Sequence, residues 1–216
     1  MNNEKNYIGP GNESIANLES LLHEKFEELH LSKGQKKSVL ELLEKIKKHD
    51  ENTFLHSIRV CLLGIKVSIF LWLDPKPLFY AGLFHDYGKI SVDGEILRKV
   101  EEFSEADFRK VKKHTWAGYL ALRKIYPFSA DILIRHHHYS QNPYPRSVPK
   151  TKFDKNLIEK YAKILALIDF YDSLISRNNE KFDIDISNRN SVKKLLIEHH
   201  KELERLINSL FENNIF

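Results

Sequence analysis

The sequence predicts an all-α fold. Three observations carry that expectation. Apolar residues recur at spacings of three and four along most of the chain, the period of a helix with one buried face. No stretch alternates apolar and polar residues with the period of two that a half-buried strand requires. Prolines and turn residues divide the periodic stretches into segments of helical length.

Ile15, Leu18, Leu22, Phe26 and Leu29 place a first helix, with Asn12 or Ser14 as its cap. SKGQ at residues 32–35 reads as a turn. Val39, Leu42, Leu43 and Ile46 then face inward on a second helix whose other side is Lys and Glu. These first fifty residues carry no chemistry, so residues 1–50 are expected as a helical extension packed on a main bundle of residues 51–216. A largely buried helix is expected over residues 53–73, stopped by DPKP at 74–77. Another helix leads from Leu78 into FHDYGK, and VDG at 92–94 is a loop. Residues 108–126 read as one helix ended by Pro127, and residues 130–138 as the next. Residues 139–150 hold three prolines and are expected as a loop. Residues 157–176 and 191–212 complete the set, joined by an exposed connection, RNNEKFDIDISNRN.

A chain of 216 residues can bury a sizeable core in one domain. With 34 basic against 30 acidic residues, the net charge of +4 gives little support for a nucleic-acid partner and admits an anionic small molecule. The single cysteine, Cys61, excludes an internal disulfide framework and is read as a core residue. The opening MNNEKNYIGPGNES has no apolar h-region, so no secretory signal is expected. The apolar run 60–73 is interrupted by Gly64 and Lys66 and is too short to span a membrane. A cytoplasmic location without membrane contact is expected.

The eleven histidines divide into two sets. His23, His30, His49, His199 and His200 lie among charged residues and are expected on the surface. His56, His85, His114, His136, His137 and His138 lie within or at the ends of apolar segments. A lone histidine there is most simply a satisfied core residue. Several on separate helices of one bundle are how such folds assemble two-metal sites. Asp86 follows His85 directly. Adjacent helical residues point about 100° apart, so both reach one centre only if it lies over that turn. A carboxylate there can bridge two ions with its two oxygens. Lys89, three residues on, shares the face of Asp86. Gly88 between them is expected to leave room for a ligand to approach closely. Asp169, in the apolar LALIDFYDSL, has no basic neighbour in that run and needs a partner elsewhere, which a metal would supply. Asp172, one turn later, either orients a ligand histidine or lies on the surface.

These residues, in this order, resemble the HD superfamily of metal-dependent phosphohydrolases and, within it, the HD-GYP branch. The matching pieces are HSIRV at His56, FHDYGKI at His85, ILRK at Ile96, VKKHTWAG at His114, ADILIRHHH ending at His138, and LALIDFYDSLISR around Asp169. A single His-Asp pair is a weak signal; the ordered set is a strong one and covers over half of the chain. The resemblance implies an HD-domain helical bundle around a binuclear metal site. It implies that His56, His85, Asp86 and Asp169 hold the first ion. Asp86 would bridge to a second ion on His114, His136 and His137. The choice within the triple follows the ADILIR that precedes it, and a shift by one to His137 and His138 stays open. Two divalent ions, iron or manganese, suit such a mixed His/carboxylate set.

The resemblance further implies that Lys89 binds a phosphate oxygen, that Lys89 and Asp86 serve catalysis, and that the loop carrying Tyr144 lies near substrate. Three departures stand out. The branch's GYP signature reads PYP here at residues 143–145, after Gln141-Asn142 in place of Asp-Gly and a loop about one residue short. His138 stands where the branch has Glu. Some members hold a third metal with a Glu four residues before the first histidine; that place is Asn52, with Glu51 beside it. The expected function is hydrolysis of a phosphate ester by a metal-dependent phosphodiesterase, with a nucleotide or a cyclic dinucleotide such as cyclic di-GMP as substrate by family analogy. The first fifty residues are too few for a sensor domain. Two alternatives differ in class. A non-catalytic nucleotide-binding signalling module would turn over no phosphate ester. A di-iron oxygenase would show O₂-dependent turnover.

Overall fold

The computed structural model describes residues 14–99, 103–178 and 182–216. Among the described residues there are helices and loops and no strand. The α-helices are α1 (Ile15–Glu28), α2 (Lys33–His49), α3 (Glu51–Phe70), α4 (Lys76–Phe84), α5 (Gly94–Leu97), α6 (Glu105–Lys112), α7 (His114–Leu122), α8 (Pro127–Leu133), α9 (Lys155–Ser173), α10 (Arg189–His199) and α11 (Glu204–Glu212). Short 3-10 turns follow α4 (Tyr87–Ser91) and α10 (Lys201–Leu203).

The helix starts follow from local chemistry. The Ser14 hydroxyl accepts from the Asn17 amide at the start of α1. Ser32 and Gln35 form a reciprocal capping box on α2. Asp50 accepts from the Thr53 amide at 2.8 Å and opens α3.

The centre of the molecule is α3, packed against α1, α2, α4 and α9. By length and composition α3 could cross a bilayer, although 67% of its apolar window is buried within the protein, as suits a core helix. Cys61 lies in that core, fully buried. Glycine lets α4 approach α3: a Cβ on Gly82 would stand 2.8 Å from the Cys61 Cα. Leu18, Leu22 and Phe26 of α1 and Val39, Leu43 and Ile46 of α2 join the same hydrophobic core. Phe26 meets Phe79 of α4 edge-on, ring centroids 6.0 Å apart.

Five sequence expectations need correction. The stretch expected as one helix over 108–126 is two, α6 and α7, jointed at Lys113. Pro127 opens α8 instead of ending α7, since a first-turn proline loses no helical hydrogen bond. That helix stops at Leu133, so His136, His137 and His138 lie in a turn. The helix expected over 191–212 breaks at His200 into α10 and α11. In the connection expected to be exposed, Phe182 and Ile184 pack partly buried against the core, while residues 179–181 lie outside the described residues.

Candidate metal centre

Helix ends deliver five of the donors to the middle of the bundle, and helix interiors deliver His56 and Asp169. His56 lies in the second turn of α3. His85 caps the C-terminus of α4, and Asp86 starts the 3-10 turn after it. His114 is the first residue of α7, and His136 and His137 follow α8. Asp169 projects from α9. His56, His85, Asp86, His114 and His136 are buried.

Gly88 has a different role from the one expected. A Cβ there would overlap the His114 carbonyl and stand 2.7 Å from the Gly118 amide. The glycine therefore lets the 3-10 turn lie directly on α7, which holds Asp86 beside His114; it does not open space for a ligand.

The seven donors form two groups with Asp86 between them. His56, His85 and Asp169 bring three donor atoms together: His56 Nε2 is 3.1 Å from His85 Nε2 and 3.0 Å from Asp169 Oδ1. His114, His136 and His137 form the second group, with His114 Nε2 3.4 Å from His136 Nε2. Asp86 turns one oxygen to each. Its Oδ2 lies 3.5 Å from His85 Nε2 and 3.8 Å from His56 Nε2, and its Oδ1 lies 3.4 Å from His114 Nε2.

The outer nitrogens settle which atoms face inward. His85 Nδ1–H donates to the Gly82 carbonyl at 2.8 Å and His114 Nδ1–H to the Val111 carbonyl at 2.7 Å. His136 Nδ1–H donates to the Leu133 carbonyl in the same i−3 pattern. His56 Nδ1–H donates to Asp172 Oδ2 at 2.7 Å, and Arg59 holds the same carboxylate through Nε at 2.8 Å and a terminal nitrogen at 2.9 Å. With Nδ1 carrying the proton, each Nε2 turns a lone pair toward the centre. Lone pairs and carboxylate oxygens packed this closely repel one another without a cation between them. The donor set, imidazole with carboxylate, is that of first-row divalent metals. The two groups can therefore hold metal ions.

The electrostatics agree. Burial pushes the pKa of His114 down to about 4 and that of His136 to about 3, and burial also lowers His137, so these rings are neutral near pH 7 and free to coordinate. Burial opposes charge on Asp86, but Lys89 and then the surrounding histidines hold its carboxyl well below the usual range. Burial opposes charge on Asp169 likewise, and the adjoining His56 and His85 outweigh it and hold its carboxyl well below the usual range. His85 also loses by burial, yet the Asp86 and Asp169 carboxylates raise it above its ordinary value.

All seven expected metal-site residues thus converge. Lys89 Nζ donates to Asp86 Oδ2 at 2.6 Å. The Tyr144 ring stacks on His137 at 4.4 Å and lies edge-on to His114 at 6.1 Å. His138 turns away, its Nε2 bonded to the Pro145 carbonyl at 2.9 Å, so it ties down the loop that carries Tyr144. Asp172 is buried and orients His56, which decides between its two readings. Asn52 and Glu51 are exposed on the first turn of α3.

The centre opens into a cleft of about 900 Å³. His136, His137 and Asp169 line it from the centre, and Arg109 and Lys112 from α6. His200, expected on the surface, is buried and lines the cleft with His199. The sequence pointed to neither histidine, because both sit in the charged stretch EHHKELER. Arg59 did leave a signal, three residues after His56 on the same helix face.

The HD domain model matches residues 53–174. The chain belongs to the HD domain family. Its matched segment contains every donor described above. HD phosphohydrolases are metal-dependent, in keeping with the two donor groups. A Pseudomonas aeruginosa protein named cyclic di-GMP phosphodiesterase is 32% identical over 142 residues, covering 62% of this chain and 33% of that protein. A Thermotoga maritima protein of the same name is 26% identical over 186 residues, covering 82% of this chain and 46% of that protein. The chain thus spans about a third and about half of the length of these two relatives.

Proposed function

We propose that this chain is a metal-dependent phosphodiesterase acting on a phosphate ester, with cyclic dinucleotides such as cyclic di-GMP as its substrate class. One observation carries the reading: the Asp86 carboxylate turns an oxygen to each of two donor groups, with Lys89 beside it. His56, His85 and Asp169 would hold one divalent ion, and His114, His136 and His137 a second. Asp86 would serve both, and iron or manganese fits the set. When bound, such a pair supplies Lewis-acid polarisation of the phosphoryl group and an acidified water.

The chain's own residues do the rest. Lys89 donates to a phosphoryl oxygen and offsets the charge that builds in the transition state. Its long side chain exchanges its contact with Asp86 for one with substrate by rotation. Burial, then the Asp86 and Asp169 charges, push the Tyr144 phenol up, so it stays protonated and donates to a substrate oxygen. Asp172 and Arg59 fix His56. A cleft of about 900 Å³ suits a dinucleotide, which needs the upper range of small-molecule pockets. The names of the two relatives support the same substrate class. In this reading residues 51–216 are the catalytic module and residues 1–50 an extension, of which residues 14–50 pack on the module and residues 1–13 lie outside the described residues. A nucleotide substrate and a buried, unpaired Cys61 suit the cytoplasm.

Hydrolysis of cyclic di-GMP, its linear dinucleotide and a generic bis-phosphodiester tests the proposal. The protein is purified without oxygen and supplied with Mn²⁺ or Fe²⁺, with Asp86→Ala as control. Turnover that needs metal and disappears in the control is expected. No turnover of any of the three by folded, metal-loaded protein would refute it.

A further inference from the structure

The phosphate chemistry described so far leaves one wall of the cleft without a role. Its first member is His200. The backbone leaves the helix there, at φ −133° and ψ 56°, and the ring turns inward between two charged stretches. The side chain is only 3% exposed and lines the cleft. Its Nδ1 has no hydrogen-bond partner among the described residues. A buried polar nitrogen without a partner costs stability, and folded proteins seldom keep one without a reason.

Aromatic rings surround it. Phe170 lies 5.7 Å from the His200 ring and stacks on His199 at 4.6 Å with planes 30° apart. Phe182 meets Phe170 edge-on at 5.7 Å and His199 edge-on at 5.5 Å. All four line the same cleft as Asp169. Flat faces with imidazole nitrogens among them suit a planar heterocycle that stacks and offers a polar edge. A phosphate has no use for such a wall.

We infer that Phe170, Phe182, His199 and His200 form a nucleobase subsite, with His200 reading the edge of the base. This rests on the phosphoesterase reading of the adjoining centre and adds what that centre lacks, a preference for nucleotides over other phosphate esters. A half-turn of the imidazole about its Cβ–Cγ bond carries the unpartnered nitrogen to the base. Three of the four wall residues, Phe182, His199 and His200, lie beyond the matched HD domain, which ends at residue 174; Phe170 lies within it, on α9.

Calorimetric titration of the Mn²⁺-loaded protein with GMP and with ribose 5-phosphate tests the subsite. The two probes share sugar and phosphate, and only GMP carries a base. GMP is expected to bind roughly tenfold more tightly, the scale of one stacked base. His200→Leu should shrink that gap to about threefold or less, and His200→Asn, whose amide can reach the place of Nδ1, should keep most of it. Equal binding of the two probes, or an undiminished gap in folded His200→Leu, overturns the inference. Should His200→Leu fail to fold, Phe182→Ala reads the same wall from a less buried position, and an undiminished gap there overturns it equally. The phosphoesterase reading fails separately. A GMP preference without turnover of any phosphate ester supports the subsite and removes the reaction; turnover without base preference does the reverse.

Discussion

Asp172 shows how one side chain beside the centre controls a donor within it. It accepts from His56 Nδ1 and from Arg59, and so fixes both the tautomer and the direction of that ring. Asp172→Asn keeps the shape and removes the charge. Metal affinity should fall by roughly 10- to 100-fold while the fold persists, the usual cost of losing such a support. Titration of chelated protein with Mn²⁺ measures it, and unchanged affinity would contradict the role. Gly88→Ala tests a different contact. The added methyl overlaps the backbone of α7, so we expect a loss of about 1–3 kcal/mol in urea unfolding, the range for overpacking. A variant as stable as the parent would rule out that close approach. At this scale the sequence revealed residue types better than directions. His56, His85, Asp86, His114 and Asp169 were legible because polar groups in apolar helices demand a partner. The choice within His136–His138 was harder, because three successive residues in a turn point three ways. Only the Pro145 carbonyl shows that His138 faces the loop. His200 left no signal, since its neighbours Glu198, Lys201 and Glu202 mark a surface and the inward turn comes from the backbone.

At the scale of elements, helix ends build the site. His85, His114 and His136 each bond the carbonyl three residues earlier, at the end of α4, the start of α7 and the turn after α8. The sequence reading ran α6 into α7 and carried α8 through His138 because their apolar period continues across both breaks. Pro127 was equally ambiguous, since proline both stops a helix and begins one. The buried rings also set a pH dependence. In the unfolded chain His114 and His136 take up protons near 6.5, whereas burial delays this to about 4 and about 3 in the folded chain. Between those values the unfolded state binds more protons, so stability falls as pH falls. The raised pKa of His85 opposes part of this loss, because it favours the folded state on the acid side. Three depressed rings, His137 among them, outweigh one raised ring. In chelator, Tm should be roughly 4–8 °C lower at pH 5 than at pH 7, taking about 2 kcal/mol net and about 2–4 °C for each. A Tm that is flat or rises toward pH 5 would show that these rings are not held neutral.

The molecule as a whole is organised around α3, which carries His56 and is packed against α1, α2, α4 and α9. The all-α class was legible from the helical period alone. The place of α1 and α2 was less so, because an amphipathic helix does not name the face it will cover. Phe26 of α1 is 1% exposed and touches Phe79 of α4, the helix that ends at His85. Phe26→Ala should cost about 3–5 kcal/mol, the usual loss for a buried phenylalanine. A loss below about 1 kcal/mol in urea unfolding would mean that α1 does not share the core. The account depends most on two ions held on opposite sides of Asp86. The direct measurement is metal content by mass spectrometry after loading with Mn²⁺ or Fe²⁺ and removal of the excess. About two ions per folded chain are predicted, with a clear loss in Asp86→Ala and none in His138→Ala. One ion or none in folded wild-type protein, or full loading of Asp86→Ala, would contradict the binuclear centre.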